Sequence, residues 1–236
     1  MNFSVVLNTR KRPMYLDSAI TSFIETADNP DLIDFWVRYD DDDELTQQYV
    51  KTDPFNIRKV KFLSGPRPIN LNKELNSLAA ASSGKYILVI NDDCVMQTSG
   101  WDTHACAFLD NSFEDGICYG QTSDTSADKP KGAEYSSFPI ISRKALNALG
   151  FLLKDEFLSL GGETVVYRIY KEIDRVVDLK HISIDHIFHD TIEKVMNPDE
   201  TAQQMRQNSW TVNTGLDPFS IDIQKDLDKI KKFLYN

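Results

Sequence analysis

Short β-branched and apolar runs alternate with amphipathic stretches along the first part of the chain. Residues 3–7 (FSVVL) predict a buried strand, and Arg12-Pro13 then opens a segment with Leu16, Ile20, Phe23 and Ile24 at helical spacing. Residues 35–39 (FWVRY) predict a second strand, and the alternating residues 57–63 (IRKVKFL) a third. Residues 72–81 are helical in composition, with Gly84 as the stop. Residues 86–90 (YILVI) are an uninterrupted apolar run of the kind covered on both faces. This strand and helix order predicts an α/β protein with a doubly wound, mostly parallel central sheet and helices on both faces.

The second half is less regular. Residues 135–142 (YSSFPIIS) predict a strand, Arg143–Leu149 and 164–173 helices, and 176–179 and 182–187 extended segments. Asn197-Pro198-Asp199 caps a further helix, and residues 218–235 place Ile223, Leu227, Ile230 and Leu234 on one face. The softest boundary falls near Asn197-Pro198. It divides a main domain, 1–196, from a C-terminal helical extension, 197–236. The polar face of the last helix mixes Asp222, Asp226 and Asp228 with Lys225, Lys229, Lys231 and Lys232. An anionic-membrane helix is more uniformly basic, so core packing or a homo-oligomer contact is the expected role.

Composition narrows the function classes. A 236-residue chain that is 41% hydrophobic is long enough for one substantial core. A formal net charge of -10 argues against general nucleic-acid binding, which needs clustered Lys and Arg. Cys94, Cys106 and Cys118 are too evenly spread for a disulfide framework or a zinc knuckle and are expected to be reduced core thiols. The basic cluster follows the first apolar run, the reverse of a secretory signal, and no run approaches a membrane span. The expectation is a cytoplasmic protein, with or without peripheral membrane attachment.

Open parallel sheets bind ligands outside the carboxyl ends of their strands. The predicted first strand ends in Asn8-Thr9-Arg10, the second in Asp40-Asp41-Asp42-Asp43, the third leads to Gly65-Pro66-Arg67 and the fourth ends in Asn91-Asp92-Asp93. Cations from the first and third would then face carboxylates from the second and fourth across one crevice. Carboxylates tolerate a phosphate when a hard cation such as Mg²⁺ or Mn²⁺ bridges them, which makes this a nucleotide site in outline. Asp and Asn are also ordinary turn residues, so one NDD at a strand end is more often a turn than a metal site.

In order and spacing these fragments resemble glycosyltransferase family 2, whose fold is GT-A, a Rossmann-like sheet. The opening SVVLNTRKRP is similar to the family's first strand and turn, and WVRYDD to its strand ending in a carboxylate pair for base and ribose. Asn76 precedes Gly84-Lys85-Tyr86 as a family Asn precedes Gly-x-Tyr, and NDD at 91–93 stands where the family has Asp-x-Asp. Gly100-Trp101, FPIISRKALNALGF, and Asp155-Glu156 followed by Glu163-Thr164 continue the likeness. Asn91 replaces one motif Asp and Thr164 the family's usual base.

The resemblance implies a metal-dependent transferase that moves a sugar from a nucleotide-sugar donor, above all a UDP-sugar, to a hydroxyl acceptor with inversion. Residues 1–95 would be the nucleotide-binding half and 96–196 the acceptor-binding half. It implies nucleotide contacts from Asn8, Thr9, Arg10, Asp40, Asp41, Arg67, Asn76 and Asp92. Asp93 would ligate Mn²⁺ or Mg²⁺, with His186 or His189 completing the set. Taking the acceptor's proton needs a base that a threonine hydroxyl cannot supply at neutral pH, which leaves Glu163, then Asp155 or Glu156. The acceptor is a glycan, a lipid-linked molecule or a protein. A nucleotidyltransferase usually has a Gly-rich loop after its first strand, which NTRKRP lacks. A zinc site at His186, His189 and Asp190 lacks the spacing of HExxH sites. A non-catalytic nucleotide- or sugar-binding module is compatible with Asn91 and Thr164.

Overall fold

The computed structural model describes residues 1–52, 54–55, 60–124, 134–187 and 215–234. Its first half runs β1 (Phe3–Thr9), α1 (Pro13–Glu25), β2 (Ile33–Asp40), α2 (Glu44–Lys51), β3 (Val60–Gly65), α3 (Leu71–Ala81) and β4 (Tyr86–Val89). The second runs β5 (Cys94–Met96), α4 (Trp101–Leu109), β6 (Tyr119–Asp124), β7 (Ile140–Ser142), α5 (Arg143–Leu149), α6 (Gly162–Glu172), β8 (Val176–His186) and α7 (Gln224–Leu234). Among the described residues eight strands form one sheet in the order β3-β2-β1-β4-β7-β6-β8-β5. The strands β1 to β4 pair in parallel, as do β6 and β8, whereas β7 and β5 run antiparallel to their neighbours.

Both faces of the sheet are covered, which explains the near-continuous apolar strands. Phe3, Val5, Leu7, Tyr86 and Leu88 pack on one face with α1 and Trp101 of α4. Val6, Ile87 and Val89 pack on the other with α3, α5, α6 and α7. The single sheet places the carboxyl ends of β1, β2 and β4 side by side, which is the feature that builds the site.

Several elements differ from expectation. The segment read as one strand over 135–142 is extended into the sheet only at Ile140–Ser142, after Pro139. The two segments expected at 176–179 and 182–187 are one strand, β8, with a shift of register against β6. Elements α2, β5, α4 and β6 carry too short or too polar a pattern to be predicted. The start of the third predicted strand, residues 57–59, and the helix expected after Asn197 lie outside the described residues. Helix α7 buries Leu227 and Ile230, as the apolar face predicts, and Asp226 pairs with Lys154 at 2.5 Å. Cys94 and Cys118 are buried and Cys106 half-buried, all as free thiols.

Gly84 also has a different reason for being glycine. Helix α3 ends at Ala81 with Ser82 already extended at ψ 167, and Gly84 is not among the positive-φ residues. A Cβ there would lie 2.4 Å from the Ser4 amide nitrogen and 2.7 Å from the Phe3 carbonyl carbon, both backbone of the central strand. Backbone so placed cannot move aside cheaply. Gly84→Ala is therefore expected to lower stability by about 3 kcal/mol in chemical denaturation; a change under about 1 kcal/mol would mean that the start of β1 relaxes freely.

Candidate functional site at the carboxyl ends of the central strands

The turn from β1 to α1 is the hub, because β1 lies between β2 and β4. The Thr9 hydroxyl donates to Asp92 Oδ2 at 2.7 Å, toward β4. On the other side Arg10 donates to Asp40 Oδ2 at 2.7 Å and grips both oxygens of Asp42, one at 3.0 Å. Lys11 has a left-handed backbone, φ 55, and its amide donates to Asp43 Oδ2 at 2.6 Å. Asp43 also caps α2 by accepting from the Thr46 amide at 3.1 Å. Arg12 turns back to β4: Nε donates to Asp92 Oδ2 at 3.2 Å, Nη2 to Asp92 Oδ1, and Nη1 to Asp93 Oδ2 at 3.4 Å. Pro13 then fixes the first turn of α1, where its missing N–H is not needed.

Asp93 meets His186 through strand register. Cys94 lies opposite His186 in the β5–β8 pair, and the Ile187 amide donates to the Asp93 carbonyl at 3.0 Å. This sets Asp93 Oδ1 and His186 Nε2 3.1 Å apart. The Asn91 side-chain amide is 3.3 Å from the same Nε2, and the Phe138 ring meets the imidazole edge-on. Burial pushes the Asp92 carboxyl up to about 7, against the pull of Arg12 and with the Asp93 charge adding to the rise. Burial also acts upward on Asp93. There the His186 hydrogen bond and charge, with Arg12, outweigh it and hold the carboxyl below its ordinary value.

The other expected site residues are placed as follows. Asp40 is bracketed by Arg10 and by Arg38, which also binds Glu74 at 2.9 Å. Asp41 and Arg67 are exposed at the rim, where the charge of Arg67 acts on Asp42. Asn8 donates weakly to the Leu71 carbonyl at 3.5 Å, and its Oδ1 is buried with no partner among the described residues. Asn76 points elsewhere: its Oδ1 accepts from the Leu152 and Leu153 amides, both at 2.8 Å, and its Nδ2 donates to the Leu153 carbonyl at 2.8 Å. That side chain braces the loop after α5. Glu163 sits at the start of α6 and accepts from the Gly161 amide at 3.1 and 3.2 Å. Its charge acts on Tyr135, which is hydrogen-bonded to the buried Thr164. Asp155 and Glu156 are exposed, the latter paired with Lys154 at 3.4 Å. His189 and Asp190 lie outside the described residues.

Among the described residues no three His, Cys, Asp or Glu side chains converge as a metal cage. Asp42 and Asp43, expected among the carboxylates that end the second strand, hold Arg10 and the Lys11 amide, whereas Arg12 and Arg38 are absent from the expected site. Arg12 was visible only as a residue opening a helix, one step past the cation singled out at the strand end.

Comparison with known proteins bears on what such a site does. The description Glycosyl transferase family 2 matches residues 4–161. No curated protein matches significantly. S. aureus TarS 1–349 in complex with UDP superposes with a TM-score of 0.64 at 15% identity, over 99% of this chain and 71% of that one. The same protein in complex with UDP-GlcNAc gives 0.63 at 15% identity, over 99% and 72%. The mannosyltransferase PcManGT from Pyrobaculum calidifontis, in complex with GDP-Man and Mn²⁺, gives 0.62 at 10% identity, over 99% and 74%. Against the longer S. aureus TarS chain, the present chain spans 43% of the length. At these identities the structures speak for the shared fold, while the sequence match spans most of the chain. The chain belongs to glycosyl transferase family 2 and is a glycosyltransferase built on the GT-A fold.

Proposed function

We propose that the protein transfers a sugar from a nucleotide-sugar donor, with a UDP-sugar as the preferred class, to a hydroxyl acceptor, using a divalent cation and inverting the anomeric carbon. One observation carries this reading: Thr9, Arg10 and Arg12 of a single turn meet Asp40, Asp92 and Asp93 where an open α/β sheet presents ligands. In the similar structures the bound molecules are UDP, UDP-GlcNAc and GDP-Man with Mn²⁺.

The residues fit a cation. Asp93 Oδ1 and His186 Nε2 are 3.1 Å apart. Two neighbouring ligands at octahedral bond lengths of about 2.1 Å stand roughly 3 Å apart. Asp93 and His186 would hold Mn²⁺ or Mg²⁺ as one oxygen and one nitrogen donor, leaving positions for diphosphate oxygens and water. When bound, the ion supplies charge that stabilises the departing nucleoside diphosphate. The chain's own groups do the rest. Thr9 and Arg12 hold the Asp92 carboxylate toward the ribose, Arg10 and Asp40 frame the base with Asn8, Asp41 and Arg67 at its rim, and Glu163 takes the acceptor proton, with Asp155 as the alternative. Asn76 acts by bracing the loop that leads to Asp155. Residues 1–95 form the donor half and 96–196 the acceptor half, with 197–236 as an extension. The acceptor is a glycan, a lipid-linked molecule or a protein, met in the cytoplasm with or without peripheral membrane attachment, by a monomer or homo-oligomer. Among the described residues no helix is long and apolar enough to cross a membrane.

A thermal-shift panel of UDP, GDP, CMP and dTDP, each with and without Mn²⁺, tests this reading. A nucleotide at about a hundred times its Kd stabilises the fold by roughly 2.7 kcal/mol, which shifts Tm by about 5–10 °C for a chain of this size. The expected result is such a shift for UDP that depends on Mn²⁺. No metal-dependent shift with any of the four would sink the proposal.

A further inference from the structure

Arg12 occupies an unusual position for a residue beside a cation site. Its side chain is 12% exposed, and the guanidinium spans both carboxylates of the Asn91-Asp92-Asp93 turn and reaches Asp93 Oδ2 at 3.4 Å, while Asp93 Oδ1 faces His186. The structure therefore already holds a positive charge against the carboxylate that would receive the metal. The position is enforced from both ends: Pro13 begins α1 immediately after it, and Arg10 and the Lys11 amide pin the preceding residues to Asp40, Asp42 and Asp43.

A divalent cation and a guanidinium sharing one buried carboxylate repel each other, and with the Arg12 and Asp93 side chains 12% and 6% exposed that repulsion is weakly screened. The repulsion disappears if a diphosphate stands between the two, because its oxygens accept from a guanidinium fork and ligate a hard cation at once. We propose that Arg12 is a resident counter-cation that makes metal binding conditional on nucleotide: it holds Asp93 in the empty site and passes to the diphosphate when metal and nucleotide enter together. The inference rests on the donor-site reading above and adds to it a coupling between two ligands through one side chain. Metal alone binds weakly, nucleotide alone binds weakly, and each strengthens the other by the same factor, as linkage requires.

Isothermal titration of the full chain, with Mn²⁺ alone, UDP or GDP alone, and each nucleotide at saturating Mn²⁺, reads this coupling directly. In the unmodified protein Mn²⁺ is expected to tighten UDP by a hundredfold or more. In Arg12→Gln, Mn²⁺ alone should bind about tenfold more tightly and UDP in the presence of Mn²⁺ about tenfold more weakly, so with UDP alone unchanged the coupling factor falls about tenfold. Arg12→Lys keeps the charge without the fork and should move both constants the same way by about threefold, which covers the case in which the glutamine variant does not fold. Unchanged or weaker Mn²⁺ binding in both variants, or a coupling factor that survives the substitution, overturns the role of Arg12 while leaving the donor site intact. Absence of nucleotide binding in the unmodified protein, with or without Mn²⁺, overturns both.

Discussion

Asp93→Ala is expected to abolish the metal-dependent stabilisation by UDP and to slow sugar transfer by about a thousandfold. The size follows from geometry. Asp93 Oδ1 stands 3.1 Å from His186 Nε2, and with the residue only 6% exposed its charge is weakly screened. A loss of about 4 kcal/mol in transition-state stabilisation corresponds to roughly three decades in rate. The fold should survive, because Asp92 keeps its bonds to Thr9 and Arg12 and the Asp93 backbone keeps its bond from Ile187. Thermal shift with UDP and Mn²⁺, together with UDP release from a panel of UDP-sugars, measures both effects. A variant whose metal-dependent shift equals that of the unmodified protein would move the cation away from Asp93. Asp93→Asn separates charge from shape and should fail nearly as badly.

Glu163→Gln carries the second large effect, a fall in turnover of about a hundred- to ten-thousandfold with nucleotide affinity kept within about twofold. The substitution is mild for the fold. Glu163 accepts from the Gly161 amide at the first turn of α6, and a glutamine carbonyl can accept the same hydrogen bond. What the amide cannot do is take a proton from the acceptor hydroxyl. Thr164, which stands beside it, is buried and engaged by Tyr135, so it cannot take over the task. Asp155→Asn is the necessary partner experiment. If that exposed residue costs the turnover and Glu163→Gln does not, the base lies on the loop and not on the helix.

The first half of the molecule was largely legible in the sequence. Each of β1, β2 and β4 is an apolar run long enough to be recognised, and each ends on polar residues that cannot continue into the core. Sequential strands tend to neighbour each other, so the meeting of Arg10 with Asp40 was predictable in outline, whereas the pairing of β1 with β4 was seen only in the structure. The remainder depended on contacts that no local pattern reports. Strand β6 (YGQTSD) is polar where its neighbours supply the apolar partners, and β5 has three residues. That Asn76 would brace a loop, or that Gly84 would be needed for room beside Ser4 and Phe3, depends on what packs against them in three dimensions. Arg12 was written in the sequence as a charge, but its direction was set by a left-handed Lys11 and a helix that starts at Pro13.

The register shift between β6 and β8 has a consequence for how this chain can change in length. Thr122 lies opposite Leu179 and Ser123 opposite Ser183, so the three residues 180–182 of β8 have no counterpart on β6. Lys180 and His181 are exposed there, while Ile182 is buried in the core. A residue gained or lost at the exposed positions 180–181 can be taken up locally, with Ile182 kept in the core and the downstream pairing of Ile184, Asp185 and His186 against Met96, Val95 and Cys94 preserved. One residue inserted after Ile184 has no such outlet. It would turn the imidazole to the opposite side of the sheet and separate it from Asp93. Tolerance to insertion in this stretch is thus divided at Ser183, with drift permitted on one side and forbidden on the other.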